Sequence, residues 1–384
     1  MASSTGGRGT GQLGLTSRRT LLKGAGVAAG AAVFAPALLR PARAASELRI
    51  FSWAGYLKDD LLKAFEAKTG ITPVRTEFGT NDELLNQLKA TQGSGFDIVW
   101  PTVDRVPNYV ELELIQPIDE SKVHWDGVVK SILDGSGSIG AIVGGKRYQV
   151  PTDWGTEAIA FNSNDAKLEY GKASYGDLWR DDFAGKVTVR GHTALVGIGL
   201  WLEAEGKLPH PMRDSFKDEA TMVANYDVII KTAIANKKKV GQFWTNENEA
   251  QGAFRTNGCV IGQNWDTTAA ALAKDGAPVR YVAPKEGALA WLEGISIPRG
   301  ASNLDNAYAF INWLLTPEGG AMFANANGFN TATAGVEPLL SPEKKAFFAQ
   351  SYPGDALDKL WWWPIQDNWF VSKRNEYQDR FLSA

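Results

Sequence analysis

From Leu48 onwards the chain alternates between two periodicities, and this alternation restricts the fold more than any other feature. Three strand-like runs, LRIFSW, TPVRTEF and FDIVWPT, are separated by two stretches with helical spacing of apolar residues. Strands that alternate with amphipathic helices predict a βαβαβ unit with a mostly parallel sheet. Gly70 stands where a helix C-terminal glycine is expected, and Thr80 with Glu83 forms a capping-box pattern. We therefore predict an α/β protein.

A second block of the same kind begins near Trp154. It contains the strand-like runs AIAFN and VTVRG on either side of the stretch SYGDLWRDDFAGK. Two further apolar strands, YQVPTDWG and CVIGQNWD, end in turn-forming or polar residues, and we predict that they cross between the blocks. The chain is long enough for two domains of ordinary size, each with its own core.

The N-terminus carries an export signal. Ser17, Arg18 and Arg19 precede an apolar segment rich in Ala and Gly, which closes with Ala42, Arg43 and Ala44 in an A-x-A pattern. This order resembles a twin-arginine signal peptide, so we expect residues 1–44 to be removed and the mature protein to be periplasmic. A membrane anchor is the alternative, but the apolar segment is short and poor in Leu.

The charge balance excludes several classes of partner. Residues 1–44 hold six basic residues and no acid, so 34 basic and 43 acidic residues remain in the mature chain, a net charge of -9. An acidic protein is repelled by nucleic acid and by an anionic membrane, so we expect neither as a partner.

Cys259 is the only cysteine, and the three histidines show no metal-ligand spacing. We expect no metal and no cofactor.

Seven motifs then carry a family resemblance across most of residues 48–330. They are the strand followed by Trp-x-x-Tyr at Trp53 to Tyr56, FDIVWPT, WGTEAIAFN, YGDLWRDDFAGKV, NWD, PKEGALAWLEGISIP and AFINWLLTPEGGAMFA. In these motifs the chain resembles the periplasmic spermidine/putrescine-binding proteins of ABC importers. The resemblance implies a type II two-lobe periplasmic binding protein fold, hinged by crossing strands. Lobe 1 would comprise residues 45–153 and 267–327, and lobe 2 residues 154–266 and 328–384.

The resemblance also implies a function and a site. A monomeric binding protein would capture a polyamine between its lobes and deliver it to the membrane permease of the transporter. The ligand-binding residues that it implies are Trp53, Tyr56, Thr102, Asp104, Trp244, Trp265, Asp266, Glu293 and Phe329. Aromatic faces suit the methylenes and ammonium groups of such a ligand, and carboxylates fix its charged ends.

Two departures from the family pattern leave the charge of the ligand open. Ala54 and Gly55 follow Trp53 where the family often has a polar or acidic residue, and Arg190 and His192 stand where polyamine binders usually place acids. Arg190 is expected either in a surface salt bridge or in the cleft. In the cleft it would favour a zwitterionic or acidic amine, such as an amino-acid derivative.

Many of the remaining aromatic residues are assigned to packing. Trp179, Trp201 and Trp313 lie within helical patterns, and Trp361 to Trp363 read as an aromatic belt near the C-terminus, where Gln366 is a further candidate ligand contact. The competing function is a secreted carbohydrate-active enzyme that uses Asp266 and Glu293 as a carboxylate pair. No G-x-S-x-G or H-E-x-x-H motif supports hydrolysis by another route. We therefore expect a binding protein and not an enzyme.

Overall fold

The structure, a computed structural model, describes residues 46–384, which form strands and helices along their length. The predicted signal peptide, residues 1–44, lies outside the described residues. The strands are β1 (Ser46–Trp53), β2 (Ile71–Phe78), β3 (Ile98–Val99), β4 (Ile115–Gln116), β5 (Ile142–Val143), β6 (Lys146–Arg147), β7 (Val150–Asn162), β8 (Val187–Val189), β9 (Val240–Phe243), β10 (Ile261–Trp265), β11 (Val279–Val282), β12 (Leu289–Ile295), β13 (Ile297–Pro298), β14 (Asn330–Thr331) and β15 (Trp361–Trp362). The helices are α1 (Asp59–Thr69), α2 (Asn81–Thr91), α3 (Val106–Glu111), α4 (Lys130–Ser136), α5 (Gly191–Ala204), α6 (Glu219–Asn236), α7 (Glu247–Arg255), α8 (Asp266–Lys274), α9 (Leu304–Leu314), α10 (Pro317–Asn327), α11 (Pro342–Ser351) and α12 (Asn368–Ser383).

The smaller sheet is the predicted βαβαβ unit. β1 lies in the middle, parallel to β2 on one side and to β3 on the other, and α1 and α2 are the crossover helices. Gly70 ends α1 in the left-handed conformation, with φ 71°, and its N–H donates to the carbonyl of Glu66. The Thr80 hydroxyl caps α2 by accepting from the N–H of Glu83 at 3.1 Å. The Glu83 carboxylate accepts from Gly79 N–H, one residue before the position that the capping-box pattern predicts.

The larger sheet is built around β7, which is 13 residues long. Its strand order is β15, β12, β7, β10, β8 and β9, and β11 and β14 also pair with β7. The predicted strands AIAFN and VTVRG lie in β7 and β8, and the short 3-10 helices Tyr175–Trp179 and Asp181–Phe183 occupy the stretch between them. β7 is antiparallel to β10 and β12, whereas β8 is parallel to its neighbours. This mixed sheet supports one side of the site described below.

The connection between the two sheets differs from the sequence-based prediction, because β7, which contains most of YQVPTDWG, pairs only with strands of the larger sheet. The strand predicted in CVIGQNWD is β10, which pairs with β7 and β8 of the larger sheet. The strand that leads to the smaller sheet is β12: Glu293 bridges to Thr102, which follows β3, and Ser296, directly after β12, bridges to Val99 of β3. Gly294 allows this course, because a Cβ there would lie 2.2 Å from the carbonyl oxygen of Val150.

Aromatic side chains fill much of the core. Trp313 packs against Phe65 and Phe310, with ring centres 5.5 Å and 5.9 Å apart, and Trp179 is buried. Near the C-terminus Trp361 packs against Phe216 and Trp363, as expected for an aromatic belt. Within residues 46–384, no helix is both long and apolar enough to cross a membrane.

Candidate ligand-binding site

A cavity of about 1150 Å³ lies between the carboxyl ends of β1 and β3 and the edge of the larger sheet. Strand ends in an α/β sheet are the usual place for ligands, because side chains from several loops meet there. Eight of the nine residues predicted as ligand contacts line this cavity, namely Trp53, Tyr56, Thr102, Asp104, Trp244, Trp265, Glu293 and Phe329. Trp179, Trp201 and Trp313, assigned to packing, are not among its lining residues.

The structure does not bring Asp266 to the cavity. Asp266 is the first residue of α8, and it is buried and does not line the cavity. Its carboxylate accepts hydrogen bonds from the Tyr352 hydroxyl at 2.7 Å and from Thr267 N–H at 2.9 Å. Burial raises the pKa of Asp266 to about 6. This carboxylate therefore links the first residue of α8 to Tyr352, the residue that follows α11.

Two groups of aromatic rings line the cavity. On the first, a turn after β1 brings Tyr56 back beside Trp53, with ring centres 6.4 Å apart, and Tyr56 packs on Phe329 at 4.6 Å. On the second, Trp244 and Trp265 meet edge to face at 4.7 Å. Aromatic faces attract cations and shield methylene groups from water. These walls suit an elongated organic cation.

A buried pair of acids forms what we call the floor of the cavity: Glu293 lines it, and Asp153, which does not, is paired with Glu293 across β7 and β12. The hydroxyl of Thr152 and the indole of Trp100 donate to one oxygen of Asp153, at 2.7 Å and 3.2 Å. The second oxygens, Asp153 Oδ2 and Glu293 Oε2, have no hydrogen-bond partner within residues 46–384. Burial raises the pKa of Asp153 to about 7. Burial, together with the charge of Asp153, raises the pKa of Glu293 well above its usual range.

A buried carboxylate oxygen without a hydrogen-bond partner raises the free energy of the folded protein, because it has lost its contacts with water and gained no donor in their place. A cation placed at Glu293 would supply the missing partner and restore ionisation of the acid. The floor is therefore a place for an ammonium group.

Asp104, by contrast, is already partnered. It lies in the 3-10 helix Val103–Arg105, and its carboxylate accepts from the Gln366 amide at 2.8 Å. Gln366 in turn accepts from the guanidinium of Arg374 at 2.7 Å. Burial raises the pKa of Asp104. Asp104 and Gln366 both line the cavity, joined in one hydrogen-bonded chain that ends on α12.

Arg190 and His192 also line the cavity, so the sequence alternative of a surface salt bridge for Arg190 is wrong. The Arg190 guanidinium carbon lies 5.2 Å from the ring centre of Trp265 and 5.6 Å from that of Trp244. Burial, followed by the charges of Arg374 and Arg190, lowers the pKa of His192 well below its usual range. The histidine is therefore neutral, and the cation on this wall is the arginine.

Comparison with known proteins decides the family. Residues 60–349 match the model of the bacterial extracellular solute-binding proteins, which is more than half of the chain. The chain belongs to this family. The spermidine/putrescine-binding periplasmic protein 1 of Haemophilus influenzae is 28% identical over 296 residues, 77% of each chain. The putrescine-binding periplasmic protein PotF of Escherichia coli is 26% identical over 334 residues, 83% of this chain and 87% of that protein.

A solved structure supports the fold of this solute-binding protein. The substrate-binding protein PotD of a spermidine/putrescine ABC transporter from Streptococcus pneumoniae matches with a TM-score of 0.69 and 22% identity, over 88% of this chain and 98% of that chain. The predicted two-lobe periplasmic binding protein fold is confirmed. The relatives are periplasmic solute-binding proteins and not enzymes, and this solute-binding protein is likewise periplasmic.

Sequence analysis of this solute-binding protein missed several charged residues at or next to the site, among them Glu157, Asp153 and Arg374. Glu157 lines the cavity from β7, and burial raises its pKa to about 7. It could have been identified from the sequence, because it is an acid inside the apolar run TEAIAFN. Asp153, in the predicted crossing strand, carried a similar signal. Arg374 carried none, because only the packing of α12 against the rest of the protein brings it to the cavity.

Proposed function

We propose that this protein captures an aliphatic amine of the polyamine class and delivers it to the membrane permease of an ABC importer. The single observation that carries the proposal is the unpartnered carboxylate of Glu293 on the floor of an aromatic-walled cavity. The names of the relatives, which include spermidine- and putrescine-binding proteins, support the same class of ligand.

The chemistry of the cavity fits such a ligand at both its charged and its apolar parts. An ammonium group donates up to three hydrogen bonds, and the Glu293 carboxylate, whose Oε2 has no hydrogen-bond partner within residues 46–384, would accept one of them beside the Tyr56 hydroxyl. Each ring that meets an ammonium adds on the order of 0.5 to 2 kcal/mol when the site is dry. The methylenes of the ligand would lie between the ring groups of Trp53 and Trp265.

Transport would require the two sides of the cavity to move. We propose that the lobes divide at the boundaries expected from the sequence, 45–153 with 267–327 and 154–266 with 328–384. A ligand that touches both lobes favours the closed form, because only that form makes the full set of contacts. The closed protein, acting as a monomer, would dock on the permease. We also propose that residues 1–44 direct export by the twin-arginine route.

The alternative of a carbohydrate-active enzyme required Asp266 and Glu293 to act together as a carboxylate pair. Asp266 bonds Tyr352 behind the wall, so Asp266 and Glu293 do not face one substrate. The remaining buried acids of the site, Glu293 with Asp153 and Glu157, fit charge recognition, and we assign the cavity to binding without catalysis.

A thermal-shift screen of the mature protein, residues 45–384, tests the proposal. Diamines, polyamines and amino acids with a terminal amine should raise the melting temperature, because a ligand at 100 times its dissociation constant adds about 2.7 kcal/mol of stability. Neutral sugars and dicarboxylates serve as matched negatives. Stabilisation by those compounds, with none by any amine, would overturn the proposal.

A further inference from the structure

Arg190 differs from the other arginines of the cavity in having no ion pair. Four arginines line the cavity, at positions 75, 105, 190 and 374. Arg75 contacts Asp59 and Glu77, while Arg105 and Arg374 both contact Asp82. Within residues 46–384 the Arg190 guanidinium makes no salt bridge within 4.0 Å and donates no hydrogen bond. Its donors therefore remain available to a ligand.

The guanidinium is nevertheless held in place. It lies over the rings of Trp244 and Trp265, and the Trp244 indole is itself fixed by donating to the carbonyl of Gln263 at 3.0 Å. Arg190 is the N-cap residue of α5 and directly follows β8, so its backbone is fixed between a strand and a helix. A planar, pre-positioned guanidinium with free donors is the usual protein group for binding a carboxylate in a bidentate manner.

Acidic residues near Arg190 favour its positive charge, but none of them forms an ion pair with it. Burial opposes its charge, whereas Glu157, Asp82 and Glu293 favour it. Glu157 exerts the largest of these favourable effects, but no oxygen of Glu157 lies within 4.0 Å of the guanidinium. Glu157 instead accepts from the Gln263 amide at 3.4 Å. His192, on the same wall, is neutral, and the Arg374 guanidinium is engaged by Gln366.

We propose that Arg190 is an anion subsite and that the preferred ligand is a flexible amine that also carries a carboxylate. This inference rests on the proposed function, since it keeps Glu293 as the site of the ammonium group. Glu293 and Arg190 line one cavity, and the proposal places the two ends of one ligand on these two side chains. A diamine places its second ammonium beside Arg190, where the two like charges repel each other.

Two ligands with the same four-carbon chain separate the alternatives. Calorimetric titration of the mature protein compares 1,4-diaminobutane with 4-aminobutanoate, in which a carboxylate replaces one of the two amines. The wild-type protein should bind the amino acid at least tenfold more tightly. Arg190→Gln should lose at least tenfold in affinity for the amino acid and should bind the diamine equally well or better. Arg190→Lys, which keeps the charge but not the planar fork, should recover part of the loss.

Arg213→Gln is the matched control, because Arg213 lies over the Trp361 ring at 4.9 Å but does not line the cavity. Thermal unfolding of each variant checks that it is folded; if Arg190→Gln does not fold, Arg190→Lys alone must still shift the preference toward the diamine. Tighter binding of the diamine by the wild type, unchanged by Arg190→Gln, would overturn the anion subsite and leave the proposed function intact. Binding of neither ligand would overturn the anion subsite, and the thermal-shift screen with other amines would then decide the proposed function.

Discussion

The buried acids of this protein differ in how many of their carboxylate oxygens accept hydrogen bonds from neighbouring residues. This difference separates structural acids from ligand-binding acids. Against the opposing effect of burial, hydrogen bonds from Arg49 and Asn303 lower the pKa of Asp97 to about 2. Asp97 thereby joins β1 to the start of α9. Glu293 has one oxygen with no such donor, and its pKa is raised. A carboxylate that the fold leaves unsatisfied is one that a cationic ligand can complete.

The raised pKa values predict how the stability of the ligand-free protein depends on pH. Asp153 and Glu157 have a pKa of about 7 in the folded protein, against usual values of 3.8 and 4.5. Between about pH 4 and pH 7 the folded state therefore holds protons that the unfolded state has released. The free energy of unfolding should fall as the pH rises through this window, by at most about 1.4 kcal/mol per pH unit for each acid.

Chemical denaturation at pH 5, 6, 7 and 8 measures this slope. Asp153→Asn should flatten it, because the amide neither gains nor loses a proton. Asp305→Asn is the control, since the Asp305 side chain is 94% exposed and bonds only Lys122 at the surface. A slope that Asp153→Asn leaves unchanged would contradict the assignment of a protonated acid to this position.

At the scale of elements, local signals predicted well and long-range pairing did not. The helical spacing with Gly70 and Thr80 located α1 and α2, because cap and period are local properties of the chain. The strand that leads from the larger sheet to the smaller one is β12 and not β10. Both strands are apolar and end in polar residues, so only tertiary contacts distinguish them.

Gly155 lies on β7, where the backbone packs closely against Trp291 and Asp266, and a substitution there tests whether this close packing is needed. A Cβ at this position would lie 2.3 Å from the Trp291 ring and 2.9 Å from the Asp266 carboxylate. Gly155→Ala should therefore destabilise the protein by about 1 to 3 kcal/mol. Because Trp291 lines the cavity, amine binding should weaken as well.

The matched control is Gly252→Ala in α7, where an added Cβ meets nothing within 4 Å. Ala in a helix is more favourable than Gly by roughly 0.5 to 1 kcal/mol, so this variant should be at least as stable as the parent. Denaturant titration and calorimetry measure both quantities. Equal stability and affinity in the two variants would show that β7 tolerates a side chain at the site.

At the scale of the whole molecule, most of the site could be predicted because strand ends converge in an α/β fold. Trp53, Trp265 and Glu293 come from three strands that are far apart in the sequence, yet they line one cavity. The C-terminal part of the wall could not be predicted in this way. Arg374 and Gln378 reach the cavity because α12 packs on α5 and α6, and no local pattern encodes that contact.

The central claim is that Glu293 binds an ammonium group, and one comparison tests it most directly. Glu293→Gln has the shape of the protonated acid, so it should leave the fold intact while removing the negative charge. A buried ammonium without its counter-charge costs about 3 to 5 kcal/mol. Calorimetric titration with whichever amine binds the wild type best should show at least a 100-fold loss of affinity.

Glu113→Gln provides the matched control, because Glu113 pairs with Arg299 at an exposed site outside the cavity. It should bind the amine as tightly as the wild type. If Glu293→Gln, folded and cooperative in its unfolding, also retains wild-type affinity, the ammonium does not bind at Glu293 and the account of the site is wrong.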